Sequence, residues 1–269
     1  KVLSRSLGKE RERMENYSDC FYLGCQGNDL LFYSFFKFKG YAGITHTRGT
    51  YEIFKRMCEF VKKSEREDLR AYLYGFICHY TLDRHIHPYV IYCAATYMHG
   101  FFPAKYRKSL HMMLEAGIDY VIQRDKLEKK HPGCNCDFIL KTEQRACACL
   151  ADMFTGADDP IYGVDMPYEE LLALPGRMLK YQRIFENKHS FKYGLLMMAG
   201  ALMNYPSYIY GFRKPKKKYA KQDWMNLNRR IYPTVTGGSE TSNLTVPEMI
   251  QNSIEDALRL IALVNEHMD

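Results

Sequence analysis

The sequence lacks an uninterrupted apolar run long enough to cross a membrane. Its most apolar stretch, "YGLLMMAGALMNYPSYIYG" at 193–211, contains Asn204 and Pro206. It therefore falls short of the roughly 18 to 20 apolar residues that a transmembrane helix needs. The first residues, "KVLSRSLGKERERMENY", are charged and have no apolar centre, so they do not resemble a signal peptide. We expect a buried helix at 193–211 and no transmembrane segment.

Alternating strand patterns are nearly absent, and we find no internal repeat. Apolar residues instead recur every three or four positions, which is the period of an amphipathic helix. The predicted helices lie at 51–63, 69–82, 107–123, about 138–154, 168–186, 191–204 and 246–267. Thr245 is predicted to cap the last of them, with Pro247 in its first turn. The helical period throughout predicts an all-α fold. No connection is long or polar enough to separate domains, so we expect a single compact multi-helix domain over residues 1–269.

The nine cysteines form an odd set without regular spacing. Cys78 and Cys93 lie in apolar segments, where a reduced thiol packs as a small hydrophobe. Two C-x-C pairs, at 134–136 and 147–149, are narrower than the C-x-x-C spacing that is usual in structural zinc sites. We interpret these thiols as incidental and expect a reducing, cytoplasmic location.

The formal net charge of +7 comes largely from local basic clusters, such as those at 126–130 and 214–221. A basic surface suits an anionic partner, for example a phospholipid headgroup or a nucleic acid, but it can also serve solubility alone.

Histidines and carboxylates recur at four-residue spacing in the stretch "HYTLDRHIHPY". Each helical residue advances about 100°, so positions i, i+4 and i+8 lie along one stripe. His79, Asp83 and His87 occupy such a stripe, whereas His85 points away from it and is interpreted as a supporting or surface group. Pro88 is predicted to kink or end the helix at His87, because proline disfavours helical geometry at the preceding residue.

A second segment, "HMMLEAGID", gives His111, Glu115 and Asp119 the same spacing. Such pairs also occur on solvated helices, where each contributes only a few tenths of a kcal/mol. Here both stripes lie in apolar sequence, and a buried carboxylate is costly unless it is paired or bound to a metal. Two facing stripes of imidazole and carboxylate would suit a zinc site with more than one ion.

Two further polar residues stand in unusual surroundings. Asp29 follows a glycine-containing turn in "GCQGNDLLFYSFF", and His46 precedes a predicted helix in "GITHTRGTYEIF". Asp29 could instead cap a helix that begins near Leu30, and His46 could be an ordinary loop histidine.

Taken in order, the four segments "GCQGND", "GITHT", "HYTLDRHIHPY" and "HMMLE" resemble the bacterial zinc-dependent phospholipase C family. The likeness is strongest over about residues 20 to 120, and "DWMNLNRRIYP" with the final helix is similar to the C-terminal part of the family. The chain has Asn28 where family members often have proline. It also has no histidine before His46 to match the early ligand of the third zinc in secreted members.

The resemblance implies a ligand set for each of two zinc ions, with Asp83 able to bridge them. One ion would be held by Asp29, His46, His79 and Asp83, and the other by His87, His111 and Glu115. A third ion is expected only if its ligand lies upstream of Lys1. Zinc lowers the pKa of a bound water toward about 7, and Asp29 would orient or deprotonate that water.

Three functions remain open from the sequence. The leading one is hydrolysis of a phospholipid to diacylglycerol and a phosphorylated headgroup, with peripheral contact to a membrane surface. The second is a nuclease similar to the fungal single-strand zinc nucleases, which would need exposed aromatic platforms for base stacking. The third is a metal-binding protein without catalysis.

Overall fold

A computed structural model describes residues 1–6, 8–34, 50–96, 110–122, 142–156, 167–186, 191, 195, 222–234 and 239–268. Within these ranges the chain is helical with almost no strand, so the predicted all-α fold is confirmed. Apart from residues 191 and 195, which are helical, the predicted helices at 191–204 and 193–211 lie outside the described residues. None of the described helices has both the length and the apolar content that spanning a bilayer requires.

The helices follow one another along the described chain as α1 (Val2–Arg5), α2 (Gly8–Asn16), α3 (Ser18–Gly24), α4 (Thr50–Ser64), α5 (Glu67–Ala95), α6 (Leu110–Ile122), α7 (Gln144–Thr155), α8 (Tyr168–Glu186) and α9 (Val246–Met268). A 3₁₀ helix, Gly27–Tyr33, follows α3. Two short strands, β1 (Tyr232–Pro233) and β2 (Thr241–Ser242), pair antiparallel, with Tyr232 opposite Ser242.

Most of the helices predicted from periodicity appear close to their expected bounds, but two details differ. Helix α7 begins at Gln144, later than the predicted start near 138, because Glu143 has an extended backbone. Helix α5 does not end at His87, because it continues through Pro88 to Ala95. Proline removes a single amide donor, and the residues beyond it pack Tyr89 and Val90 into a core where both are almost fully buried. That burial offsets the cost of the proline within the helix.

The predicted cap of α9 is confirmed as a reciprocal capping box. The backbone N–H of Thr245 donates to a carboxylate oxygen of Glu248 at 2.8 Å, and the N–H of Glu248 donates to Oγ1 of Thr245 at 3.4 Å. This pattern satisfies amides that have no partner within the helix, and it fixes where α9 begins.

The chain forms two compact units. The first comprises residues 1–82, 136–180 and 253–269, and the second comprises 83–135 and 181–252. Each unit is built from segments that are distant in sequence. The prediction of one domain over residues 1–269 stays a prediction.

In the first unit, α3 crosses α5 at a pair of glycines. A Cβ atom on Gly24 would lie 2.1 Å from the backbone oxygen of Tyr72, and one on Gly75 would lie 2.1 Å from that of Phe21. Only glycine permits so close an approach of two helix backbones. The crossing places the 3₁₀ helix that follows α3 beside the later turns of α5 within this unit.

A polar network also joins α2, α5 and α9 in the first unit. Nη1 of Arg13 donates to the hydroxyl of Tyr74 at 2.7 Å, and that hydroxyl donates to Oδ1 of Asn265 at 2.5 Å. Nδ2 of Asn265 in turn donates to Glu10 at 3.0 Å. Because each buried polar group has a partner, the network can tie the three helices together without an unsatisfied donor.

The core of the second unit surrounds α6. Leu110, Leu114 and Ile118 form a buried stripe along this helix. They pack with the end of α5, with the segment that follows residue 222 and with the start of α9. These three segments contribute Tyr89, Val90, Cys93, Trp224, Met225, Tyr232, Val246 and Met249. This core fixes both the position of α6 and its rotation about its own axis.

Candidate metal centre

Three of the predicted zinc ligands meet in the second unit. Nε2 of His87, on α5, lies 3.4 Å from Oε1 of Glu115, on α6, and Nε2 of His111 lies 2.9 Å from the same oxygen. The two imidazole rings meet edge to face, with centroids 5.2 Å apart. The three ligand atoms all lie within 4.8 Å of one another. Two helices therefore aim three donor atoms at one small volume.

The buried stripe of α6 explains why His111 and Glu115 lie where they do. Each follows one residue after a buried leucine, so each is rotated about 100° from the centre of the apolar face. Their side chains consequently lie at the margin of the core, 39% exposed for His111 and 40% for Glu115. His87 similarly comes three residues before the buried Val90, about 60° from it around α5. The same packing that holds the helices thus brings the donors to one edge.

The donor set fits zinc in both chemistry and spacing. Zinc takes neutral imidazole nitrogen and carboxylate oxygen at about 2.0 to 2.2 Å, and two such atoms on a tetrahedral ion lie about 3.4 Å apart. The separation of 3.4 Å between His87 and Glu115 matches that edge, and the 2.9 Å between His111 and Glu115 is a hydrogen-bond distance slightly inside it. A zinc ion held by these three donors would have a fourth position for water or substrate, as the ions of catalytic zinc sites do.

The imidazoles also determine the charge state of Glu115. Burial alone would raise the pKa of this carboxyl, but hydrogen bonds from His111 and His87 outweigh burial and lower the pKa to about 2. Glu115 is therefore ionised at neutral pH, as a metal ligand must be. Oδ1 of Asp83, one turn earlier on α5, lies 3.8 Å from Nε2 of His87 and adds a second carboxylate to this edge.

The residues predicted to hold the other zinc are described only in part. Asp29 lies in the 3₁₀ helix and His79 on α5, both partly buried in the first unit, and His46 lies outside the described residues. Among the residues that the structure describes, His87, His111 and Glu115 are the only group of three donors that close together. The assignment of Asp29, His46, His79 and Asp83 to one ion accordingly stays a prediction.

The alternative role for Asp29, as the cap of a helix beginning near Leu30, is wrong. The 3₁₀ helix begins earlier, at Gly27, with Gln26 as its N-cap. Asp29 lies inside the first turn, so its side chain is not required as the cap.

Gly27 is a residue whose role the sequence did not reveal. Its φ is +53°, and a Cβ atom there would lie 1.9 Å from Cδ2 and 2.5 Å from Nε2 of His79. Glycine alone accepts both this backbone conformation and this contact at little cost. The buried Nε2 of His79 therefore lies against the turn that leads into Asp29. The glycine immediately before Asn28 was the available signal, since asparagine and glycine favour tight turns.

Comparison with protein families matches residues 1–153 to zinc-dependent phospholipase C. Comparisons with curated proteins and with solved structures give no match. The matched region contains all seven predicted ligands, whereas the segment "DWMNLNRRIYP" lies beyond it. Since the match covers more than half of the 269 residues and the described donors suit zinc, the chain belongs to the zinc-dependent phospholipase C family.

Proposed function

We propose that the protein hydrolyses a phospholipid to diacylglycerol and a phosphorylated headgroup. The observation that carries this proposal is the convergence of His87 and His111 on the ionised, half-exposed Glu115, in a chain of a phospholipid-cleaving zinc family. A structural zinc site is closed to substrate, whereas these donor side chains are 27 to 40% exposed, which supports a catalytic role.

In this proposal each of the chain's ligands has a defined task. His87, His111 and Glu115 would hold one zinc, and the family resemblance gives Asp29, His46, His79 and Asp83 to the other. Bound zinc lowers the pKa of water toward about 7 and offsets the charge that develops on a phosphodiester. Asp29 would orient the attacking water and accept its proton. As the oxygen of water bonds to phosphorus, the bond from phosphorus to the glycerol oxygen breaks, and the departing alkoxide takes up a proton.

The proposal includes a cytoplasmic location, supported by the odd number and irregular spacing of the nine cysteines. Cys20 and Cys149 give it a direct test, because their sulfur atoms lie 3.4 Å apart in the first unit and could be joined under oxidising conditions. Because both thiols are buried, the protein is denatured in the presence of an alkylating agent at the moment of cell lysis, and mass measurement should then find both thiols free. A disulfide between them would contradict the proposed location.

The function is best tested on three substrates in parallel: a soluble chromogenic phosphodiester, phosphatidylcholine vesicles and single-stranded DNA. Replacement of His87 by alanine should lower kcat/KM on the phosphodiester and the vesicles by roughly 100-fold or more, since loss even of a group that only supports a ligand costs 10- to 100-fold. The matched control is His267→Ala, which removes an exposed histidine in the last turn of α9, outside the donor cluster.

The control should retain activity close to that of the wild type. Equal activity of the His87 variant and the wild type would refute the proposed site. Hydrolysis of DNA but of neither phospholipid nor phosphodiester would replace phospholipase activity with nuclease activity.

A further inference from the structure

The 3₁₀ helix at Gly27–Tyr33 turns the ring of Phe32 toward solvent on the same face as Asp29. A 3₁₀ helix has three residues per turn, so residues three apart lie directly above one another and the helix has three faces. One face is turned inward, since Asn28, Leu31 and the cap residue Ser34 are at most 3% exposed. Phe32 cannot join this face without a rotation of the whole helix.

The other two faces of the 3₁₀ helix differ in their surroundings. On the second face, Gly27 lies against the ring of His79 and Leu30 is fully buried. The third face carries Asp29, which is partly buried, and Phe32, which is 47% exposed. This outward face therefore sets a half-exposed phenyl ring one turn, about 6 Å along the helix axis, from Asp29.

Hydrogen bonds near both ends hold the 3₁₀ helix in this rotation. The N–H of Asp29 donates to the carbonyl of Gln26 at 3.2 Å. At the other end, the N–H and the hydroxyl of Ser34 both donate to the carbonyl of Leu31, at 3.2 and 2.7 Å. Phe32 is thus exposed because the packed faces of the helix fix its direction, although burial of its ring would be favourable in water.

The position of Phe32 relates it to the reacting group of the proposed substrate. Asp29 acts at the phosphodiester in the proposed function, so groups within one helix turn of Asp29 meet the parts of the substrate that are attached to phosphorus. One part is the polar headgroup and the other is the diacylglycerol, which is largely hydrocarbon. A phenyl ring gains free energy by burial against hydrocarbon. Aromatic side chains hold a quaternary ammonium in cages of rings, whereas this face offers one ring.

We propose that Phe32 is a substrate-binding residue that contacts the diacylglycerol part of a phospholipid while Asp29 acts at the phosphodiester. The inference rests on the proposed function, because it names the part of that substrate which the outward face of the 3₁₀ helix recognises. The contact is the same before and during the reaction, so it affects KM rather than kcat. In a nuclease the same ring would instead stack on a base.

The test uses the full chain and phosphatidylcholines dissolved as monomers, with either butanoyl or hexanoyl chains. Dihexanoyl phosphatidylethanolamine serves as the substrate with a different headgroup. The variants are Phe32→Ser, which removes the ring, and Phe32→Leu, which keeps an apolar side chain without aromatic character. The matched control is Leu263→Ser, which removes an apolar side chain of similar exposure, 49%, on α9 in the same unit.

Phe32→Ser should raise KM for dihexanoyl phosphatidylcholine by roughly 3- to 10-fold and leave kcat unchanged, because about half of the side chain remains to be buried by substrate. The rise should be smaller with butanoyl chains and equal for the two headgroups. Phe32→Leu should stay within about twofold of the wild type, since leucine buries a similar apolar area. The Leu263 control should match the wild type, and every variant should keep the zinc content of the wild type.

Three results would overturn the contact with diacylglycerol. The first is an equal KM for Phe32→Ser and the wild type. The second is a rise in KM for phosphatidylcholine but not for phosphatidylethanolamine, which would place the ring at the headgroup. The third is an equal loss in Phe32→Leu and Phe32→Ser, because it would show a requirement for an aromatic ring, as in stacking on a base of single-stranded DNA.

A binding measurement separates this inference from the proposed function. Its probe is a phosphonate analogue of dihexanoyl phosphatidylcholine, in which a methylene group replaces the glycerol oxygen on phosphorus and prevents cleavage, and its affinity is measured by calorimetry. Wild-type protein that binds the analogue roughly 3- to 10-fold more tightly than Phe32→Ser does, but cleaves no phospholipid, would retain the contact and refute the enzyme. Cleavage of phospholipid with equal affinity of both proteins for the analogue would refute the contact alone. Neither cleavage nor binding would refute both.

Discussion

Replacement of Glu115 by glutamine gives the most direct test of the metal centre. The substitution keeps the shape of the side chain but removes the negative charge on which His87 and His111 converge. An amide oxygen is a poor ligand for zinc, which prefers carboxylate, imidazole and thiolate. The variant should therefore fold normally but bind zinc more weakly.

The size of the effect follows from the geometry. Glu115 is one of three donors in the cluster, and loss even of a group that merely supports a ligand costs 10- to 100-fold in metal affinity. Loss of the donor itself should reach the upper end, about 100-fold, or roughly 2.7 kcal/mol. Its side chain is 40% exposed, so water can replace the lost oxygen and should keep the effect from becoming much larger.

The matched control is Asp119→Asn, which removes the same charge one turn further along α6. Asp119 shares the four-residue spacing of His111 and Glu115, but it is exposed and lies outside the donor cluster. Zinc affinity is measured by competition with a chromogenic chelator, and zinc content by elemental analysis. We expect the control to match the wild type. Equal affinity in the Glu115 variant and the wild type, or an equal loss in both variants, would refute the assignment of these donors.

Two further predictions concern the first unit. Hydrogen bonds from Arg145 outweigh burial and hold the pKa of Asp19 below its ordinary value. The ionised pair therefore stabilises the folded state at pH values above the pKa that Asp19 has in the unfolded chain. This stabilisation is lost as pH falls through the lower pKa of the folded state. Asp19→Asn should therefore lower the free energy of unfolding, measured with urea, by about 1 kcal/mol at pH 7 and leave it unchanged once Asp19 is protonated in the folded state. An equal loss of stability at every pH would contradict an effect of the ionised carboxylate. Gly27→Ala should displace His79, because the new methyl carbon would overlap its ring, and should lower zinc content and Tm together. If the zinc content of the Gly27 variant is unchanged, the glycine turn is not required to position His79 for metal binding.

The helices were largely predictable because a single periodic signal decides them. Apolar residues at three- and four-residue spacing located α4, α8 and α9 closely, and local chemistry at Thr245 and Glu248 located the start of α9. Of the two outcomes predicted at Pro88, a kink or an end of the helix, the end at His87 is wrong, because the rule for proline counts only backbone terms. Burial of Tyr89 and Val90 on the next turn is a tertiary effect that the local sequence does not contain.

The metal centre was predictable within each helix but not between helices. Spacing placed His111, Glu115 and Asp119 on one stripe of α6 and could not separate them. The structure separates them because the neighbouring segment of α5 faces the first two, through His87, and leaves Asp119 exposed. Pairing across helices depends on where the core sets their rotation, and the family resemblance supplied that pairing when periodicity could not.

The rotation of α6 links the core, the metal centre and the packing of Trp224. Measured around the helix from Leu114, Glu115 lies about 100° to one side and Gly117 about 60° to the other. The apolar stripe thus has donor atoms along one margin and, along the other, the gap that receives Trp224. A turn of the helix that improved one contact would disturb the others, so the indole packed on Gly117 helps to set the direction of the Glu115 carboxylate.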